Sequence, residues 1–158
     1  MRLAAKISGM RVVALLGVIT LLVAGCGGEE DLSRTGAGAA QVRFIENLYG
    51  GRFERAWAAL HPAHRRVVTR AKFARCSKQT IATGDLESIE VLDIFDDDIS
   101  IPRIPERRAK AVRVRVASFS GDAFTVVNHE VKVGDTWHWV LNASSIRAYE
   151  RGRCPRSQ

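Results

Sequence analysis

Between residues 41 and 76 the apolar positions recur every three to four residues, which is the period of an amphipathic helix. A first helix is predicted in 41–51, where one side is formed by Val42, Ile45, Leu48 and Tyr49. Its closing glycines, Gly50 and Gly51, favour a left-handed cap. A second helix is predicted from Phe53, Ala56, Trp57 and Leu60. Pro62 limits its length, and Thr69 is a candidate N-cap for a third short helix that buries Phe73.

From about Leu86 the apolar period changes to two, which predicts strands. The segments at 87–95, 110–119, 123–133 and 136–142 are strand candidates. Gly134 and Asp135 form a hairpin signal between the last two strands. We expect the acidic run Asp96–Asp98 to be a solvated loop. Helices followed by an antiparallel meander predict an α+β fold, with the N-terminal helices packed on one sheet face.

The N-terminal segment has the pattern of an export signal. Three cations and no acid precede an uncharged run at 12–24 that is rich in valine and leucine. A transmembrane helix needs roughly 20 apolar residues, so this run is short for a permanent membrane span. A charged start, a short apolar centre and small residues at its end are typical of a cleaved secretory signal.

The end of this run, Val23-Ala24-Gly25-Cys26, resembles the bacterial lipobox, in which a peptidase cuts before a cysteine that carries diacylglycerol. The resemblance implies that residues 1–25 are a lipoprotein signal peptide and that Cys26 is the site of lipid attachment. An ordinary secretory signal with an incidental cysteine is the alternative. Each buried methylene contributes about 0.8 kcal/mol, so two or three acyl chains would anchor the protein durably. We expect a cell-membrane lipoprotein whose domain lies on the extracytoplasmic side.

Removal of the signal changes the charge of the protein. The chain has 24 basic and 17 acidic residues, and loss of the three signal cations leaves 21 against 17. This excess is too small to predict nucleic acid as a partner. Residues 26–40 are rich in glycine, alanine and acids, which predicts a lipidated cysteine followed by a flexible linker. We expect one folded domain at 41–154 and a short tail at 155–158.

With Cys26 assigned to lipid, Cys76 and Cys154 remain. An even pair in an oxidising compartment is commonly a disulfide, and two buried free thiols are the alternative. A bridge between these residues would stabilise the fold by about 4 kcal/mol on the chain-entropy model. We predict that they are joined, because the tail after Tyr149 has little apolar surface to hold it.

Two groups of glycine, proline and aromatic residues occur in the order found in a known family. The first is Gly50, Gly51, Phe53, Ala56, Trp57, Leu60 and Pro62; the second is Gly134, Asp135, Trp137, Trp139, Val140 and Leu141. Over residues 40 to about 150 the chain resembles the nuclear transport factor two-like (cystatin-like) cone domains. The resemblance implies that a curved antiparallel sheet and its helices enclose a pocket, which some members use for catalysis and others for binding. These motifs are packing positions, so they predict fold rather than activity.

Tyr49 and His129 are the candidate catalytic residues. Ketosteroid-isomerase-type members of that family need an acid or base, typically Asp, and an oxyanion donor such as Tyr. Tyr49 ends the first helix on its apolar side, and His129 shares strand parity with the valines Val127, Val131 and Val133, which predicts that it points to the apolar face. A histidine beside a tyrosine in a dry pocket could transfer protons. A hydrogen-bonded core histidine is the alternative, and we favour it because no inward Asp is evident.

The candidate ligand-binding residues are Tyr49, Trp57, His129 and Trp139, since ligand pockets are mostly apolar with a few polar groups. Packing in the core is the alternative for the aromatic residues, and we favour it for Trp57. The acids at 93–98 lack the spaced ligands and glycine of a calcium loop, so we predict no metal and no cofactor. The basic segment 65–78 either pairs with the acids of 85–98, faces anionic lipid, or is a solvated helix face.

These features lead to one functional hypothesis and two alternatives. We expect a non-enzymatic envelope lipoprotein that binds a small molecule or a partner protein and is attached to the membrane through Cys26. The first alternative is a pocket enzyme of the ketosteroid-isomerase or dehydratase type that uses His129 and Tyr49. The second is a purely structural interaction module without a ligand pocket.

Overall fold

The structure is a computed structural model that describes residues 31–34, 36–106 and 108–156. The proposed signal peptide and Cys26 lie outside the described residues. Within the described ranges, four helices precede the sheet and one follows it. The helices are α1 (Gly36–Tyr49), α2 (Phe53–Ala58), α3 (Pro62–Arg65), α4 (Arg70–Thr80) and α5 (Ala143–Glu150), and the strands are β1 (Leu86–Asp98), β2 (Arg108–Ser118), β3 (Ala123–Val133) and β4 (Thr136–Trp139).

The predicted α+β class is confirmed. The four strands form one curved antiparallel sheet in the order β1-β2-β3-β4. Strands β3 and β4 are joined by the predicted two-residue hairpin, in which Gly134 has a φ of +59°. Strand β1 has register shifts between Leu86 and Ser88 and between Val91 and Asp93. Such bulges bend and twist a strand, which helps the sheet to curve around the helices.

The helix ends follow from local chemistry. Gly51 has a φ of +69°, in the left-handed region, and supplies the cap predicted for α1. The Thr69 hydroxyl accepts a hydrogen bond from the Lys72 backbone N–H at 3.3 Å, so Thr69 caps α4 as predicted. Helix α1 begins at Gly36, earlier than the expected start of the domain at 41, and Ala37 and Ala39 are buried. Residues 36–40 are therefore helical and packed, where a flexible linker was expected.

The main core lies between the helices and the concave face of the sheet. Its buried members come from α1, α2, α4, α5 and β2, and include Phe44, Ala56, Phe73, Val112, Val114 and Ile146. A smaller cluster lies on the opposite sheet face, where Val131 and Ala109 pack with Ile99, Ile104 and Val140. The sheet is thus covered on both sides at its β3–β4 end. At this end, a residue of β3 can therefore be buried on either face of the sheet.

Other segments also differ from the sequence prediction. The acids at 96–98 belong to β1, where a loop was expected, because the strand continues to Asp98. Residues 143–150 form helix α5, and the sequence analysis predicted no helix or strand there. Asn142 caps this helix by accepting a hydrogen bond from the Ser145 N–H at 2.8 Å, and Ile146 is fully buried in the main core.

Cys76 and Cys154 lie at disulfide-bonding distance. Their Cα atoms are 5.3 Å apart, within the range that a disulfide requires, and 78 positions separate them in the chain. Cys76 is buried on α4, and Cys154 follows α5. The geometry accommodates the predicted bridge, which would hold the C-terminal segment against the helices.

Candidate functional site

An open, partly apolar cleft of about 380 Å³ lies between the C-terminal half of α1 and the concave face of β2 and β3. Its apolar and aromatic walls are Phe44, Ile45, Leu48, Tyr49, Ile81, Val116, Phe124, Val126 and Trp139. Polar groups come from Thr80, Asn128, Asn142, Ser145 and Arg156. Clefts of this size with mostly apolar walls and a few polar groups are typical of small-molecule sites.

Trp139 forms part of the cleft wall and is held mainly by stacking. Its ring lies 4.1 Å from the ring of Phe44, centroid to centroid, with 23° between the planes. Its indole N–H is buried and has no hydrogen-bond partner among the described residues. Trp57 differs, because its indole N–H donates to the Val68 carbonyl at 2.8 Å. Trp57 is anchored away from the cleft lining, in agreement with the structural role favoured for it.

Glu130 is a buried acid that the sequence analysis did not identify. The residues of β3 that face the helices are Phe124, Val126, Asn128 and Glu130, since they lie opposite Val116, Val114, Val112 and Lys110 of β2. Phe124, Val126 and Asn128 line the cleft. Glu130 is only 1% exposed, and neither of its carboxyl oxygens has a hydrogen-bond partner among the described residues. Burial raises the pKa of Glu130 well above its ordinary value, while the charge of Arg43 acts in the opposite direction.

Gln41 is a second buried polar side chain on the same side of the sheet. It is fully buried on α1, and neither its amide oxygen nor its amide nitrogen has a partner among the described residues. Phe44 and Ile45 follow it by one helical turn and line the cleft. The sequence analysis did not predict that Gln41 is buried, because a glutamine between apolar residues is ordinarily expected to face solvent.

Tyr49 lines the cleft, as the sequence predicts, at the end of α1. Burial, and secondarily the charge of Asp85, raises the pKa of the Tyr49 phenol above its ordinary value. The phenol is therefore protonated at neutral pH and can donate a hydrogen bond. The Tyr49 hydroxyl is therefore a hydrogen-bond donor in a mostly apolar part of the cleft wall.

His129 lies on the sheet face opposite the main core, which is the face of the smaller apolar cluster around Val131. His129 lies opposite Ala111 of β2, so it shares the convex face, whereas its neighbours Asn128 and Glu130 point to the helices. Its Nε2 atom is 2.8 Å from a carboxylate oxygen of Asp97. His129 lines an adjoining cavity of about 330 Å³, which shares Val126, Asn128, Trp139 and Asn142 with the cleft but is not lined by Tyr49. His129 and Tyr49 therefore border adjoining cavities, and Trp139 borders both.

The acids of β1 are satisfied by neighbouring strands. Asp96 pairs with the Lys110 ammonium at 2.9 Å, and Asp93 pairs with the Arg113 guanidinium at 3.7 Å. Asp97 contacts His129, as described above. Across residues 31–34, 36–106 and 108–156, no group of three or more His, Cys, Asp or Glu side chains is placed to hold a metal ion.

Three histidines cluster where α3 meets the end of β4. His64 is fully buried. Its Nδ1 accepts a hydrogen bond from the Leu141 N–H at 3.0 Å, and its Nε2 lies 3.3 Å from the Pro102 carbonyl. The neutral form with the proton on Nε2 satisfies both contacts. Burial lowers the pKa of His64 to about 4. Burial also lowers the pKa values of His61 and His138, whose rings lie 6.3 Å apart. These histidines are structural hydrogen-bonding groups that stay neutral at physiological pH.

No known protein family matches this chain, and no curated protein matches it significantly. Among the described residues, no helix is both long enough and apolar enough to cross a membrane.

Proposed function

We propose that this protein is a lipid-anchored envelope protein whose cone-shaped domain, of the nuclear transport factor two-like type, binds a small apolar molecule in the cleft between α1 and the sheet. The observation that carries the proposal is the cleft itself, of about 380 Å³, with aromatic walls. Phe124 projects into it and is 49% exposed, although strand phenylalanines are ordinarily covered. An uncovered aromatic wall of this kind favours a bound ligand.

The composition of the cleft favours a ligand with an apolar body. Aromatic rings from α1, β3 and β4 form its walls, and the polar groups lie at separated positions around them. The alternative of a pocket enzyme draws no support from this geometry, because Tyr49 lines the cleft while His129 lies on the other sheet face and lines the adjoining cavity. The proposal is therefore binding rather than turnover.

Ligand binding is tested with 1-aminoanthracene, a neutral probe whose fluorescence rises in apolar sites. We expect saturable binding to the purified protein and a loss of affinity of about tenfold in Phe124→Ser, because that ring forms part of the wall. Phe119→Ser is the matched control, since Phe119 is 71% exposed and lies outside the cleft lining. Equal loss in both variants, or no saturable binding, would refute the proposal.

The membrane anchor is supported by the lipobox-like sequence that ends at Cys26. We expect Cys26→Ser to accumulate as uncleaved precursor or to leave the membrane fraction, because the substitution removes the thiol that would carry the lipid. Immunoblots of fractionated cells, with the parent protein alongside, provide the measurement. A Cys26→Ser protein that is cleaved and membrane-bound like the parent would contradict the anchor.

A further inference from the structure

Buried polar groups lie next to the Asn128 and Trp139 end of the cleft lining. Along β3, Phe124, Val126 and Asn128 line the open cleft, and Glu130 is the next residue on the same face. Successive same-face residues of a strand are roughly 7 Å apart, so Glu130 lies one step deeper than Asn128. Trp139 is the direct partner of Glu130 across the β3–β4 pair. Direct antiparallel partners share a sheet face, which places the indole of Trp139 beside the carboxyl.

Gln41 belongs to the same end of the cleft. Two observations place α1 over β4: a Cβ atom at Gly36 would lie 3.8 Å from the indole nitrogen of Trp137, and the ring of Phe44 stacks on that of Trp139. Gln41 lies between Gly36 and Phe44 on the helix and is fully buried. It therefore occupies the layer between α1 and the sheet at the level of the Trp137–Trp139 strand, where Glu130 is also found.

The hydrogen-bonding capacity of these three side chains is unused among the described residues. The unpaired atoms are both oxygens of Glu130, both amide atoms of Gln41 and the indole nitrogen of Trp139. Buried polar groups are nearly always paired in folded proteins, so a cluster of unpaired groups calls for a missing partner. A protonated carboxyl and a carboxamide each carry a donor next to an acceptor, and the indole adds a further donor.

We propose that Gln41, Glu130 and Trp139 form the polar end of the ligand site and recognise an uncharged amide-type group, such as a lactam or a carboxamide, on the apolar ligand. The carbonyl oxygen of such a group accepts from the indole N–H and from a carboxyl or amide donor. Its N–H donates to the remaining acceptor oxygen of Glu130 or Gln41. This inference rests on the proposed binding function and specifies the chemistry of its ligand.

Trp139 lies next to both the open cleft and this polar end. Its ring borders the open cleft on one side and is the strand partner of Glu130 on the other. Rotation of the indole would give up its stacking on Phe44 but would break no hydrogen bond among the described residues, because its N–H has no acceptor. The hydrogen-bonded Trp57 has no comparable freedom. A ligand that turns Trp139 would gain the indole N–H as a donor.

The experiment compares 2-quinolone, a fused-ring lactam, with 1-methyl-2-quinolone, which has the same ring and carbonyl but lacks the N–H. Displacement of 1-aminoanthracene from the purified protein gives both affinities. We expect 2-quinolone to bind about tenfold more tightly, since its methylated analogue leaves a buried acceptor unpaired. Glu130→Leu and Gln41→Leu should each reduce this preference to within about twofold of unity.

Lys132→Leu is the matched control, because Lys132 follows Glu130 on the same face of β3 but is exposed. It should retain the preference, and circular dichroism should show that all three variants keep the parent fold. Equal affinity of the parent protein for the two quinolones, or a preference that survives in both Glu130→Leu and Gln41→Leu, would overturn this inference while leaving cleft binding intact. Absence of 1-aminoanthracene binding would overturn the proposed function, and the polar end with it.

Discussion

The buried His64 makes stability depend on pH in a direction that can be worked out from its contacts. Both ring nitrogens are engaged, with the Leu141 N–H bonded to Nδ1 and the Pro102 carbonyl beside Nε2. A proton on Nδ1 would remove the acceptor for Leu141 and place a charge in the core. Burial therefore lowers the pKa of His64 from the ordinary 6.5 to about 4.

The sign and size of the effect follow from linkage. Above pH 6.5 the ring is neutral in both the folded and the unfolded chain, so stability does not depend on it. Between pH 6.5 and pH 4 the unfolded chain takes up a proton that the folded chain does not, so the free energy of unfolding falls as the pH falls. With the pKa values of His64 given above, acidification from pH 7 to pH 5 costs about 2 kcal/mol through this residue alone.

Urea unfolding of the purified protein, followed by tryptophan fluorescence at pH 7, 6 and 5, measures this loss. His64→Asn is the comparison, because an asparagine oxygen can accept from the Leu141 N–H and does not titrate in this range. The variant should be less stable at pH 7 but should lose about 2 kcal/mol less than the parent between pH 7 and pH 5. His61 and His138 are present in both proteins, so their contributions cancel. Identical pH dependence in parent and variant, or a His64 pKa near 6.5 by NMR titration, would refute the reasoning.

Three further predictions concern other buried or capping groups. The parent should lose stability as the pH rises above 4.5, because the raised pKa of Glu130 keeps this carboxyl protonated in the folded chain but not in the unfolded chain; Glu130→Gln should not show this loss. Urea unfolding of both proteins from pH 4.5 to 8 measures the difference, and the same pH dependence in both would contradict the prediction. Replacing Cys76 and Cys154 together by Ala should lower the free energy of unfolding by about 4 kcal/mol. The mass of the unreduced parent should be lower by two hydrogens than that of the reduced parent, and two free thiols in the unreduced protein would show that the bridge is absent. Thr69→Ala should cost about 1 kcal/mol in thermal unfolding, whereas an unchanged melting temperature would argue against the cap.

Periodicity predicted the element order because each helix and strand buries one side. The helical spacing of Phe53, Ala56 and Leu60 and the alternation of Val112, Val114 and Val116 both match buried positions. Helix α5 was missed because eight residues contain only Ile146 and Tyr149 as large buried apolar side chains, too few to show a period. The acids of β1 looked like a loop because their partners, such as Lys110, are supplied by the next strand and are remote in sequence.

The candidate site was harder to predict, because β3 is apolar on both faces. Val126 faces the helices while Val127 and Val131 face the other side, so alternation alone does not say which set is the core. The parity of His129 with Val131 therefore did not show that this face lies opposite the main core. Glu130 was missed for the same reason, since a charged residue in an alternating strand is expected to point to water. Its burial is set by β4 and α1, whose positions are not encoded in the local pattern of β3.

The pairing of Cys76 with Cys154 has a consequence for how damage to this protein would be detected. The loop that joins β2 to β3 is exposed at Phe119, and loop tips of this kind are preferred sites of proteolytic cleavage. A cut there falls between the two cysteines, so the fragments would remain one covalent molecule while the bridge is intact. A nicked population would run as full-length protein on a non-reducing gel and separate into two bands only after the thiols are reduced.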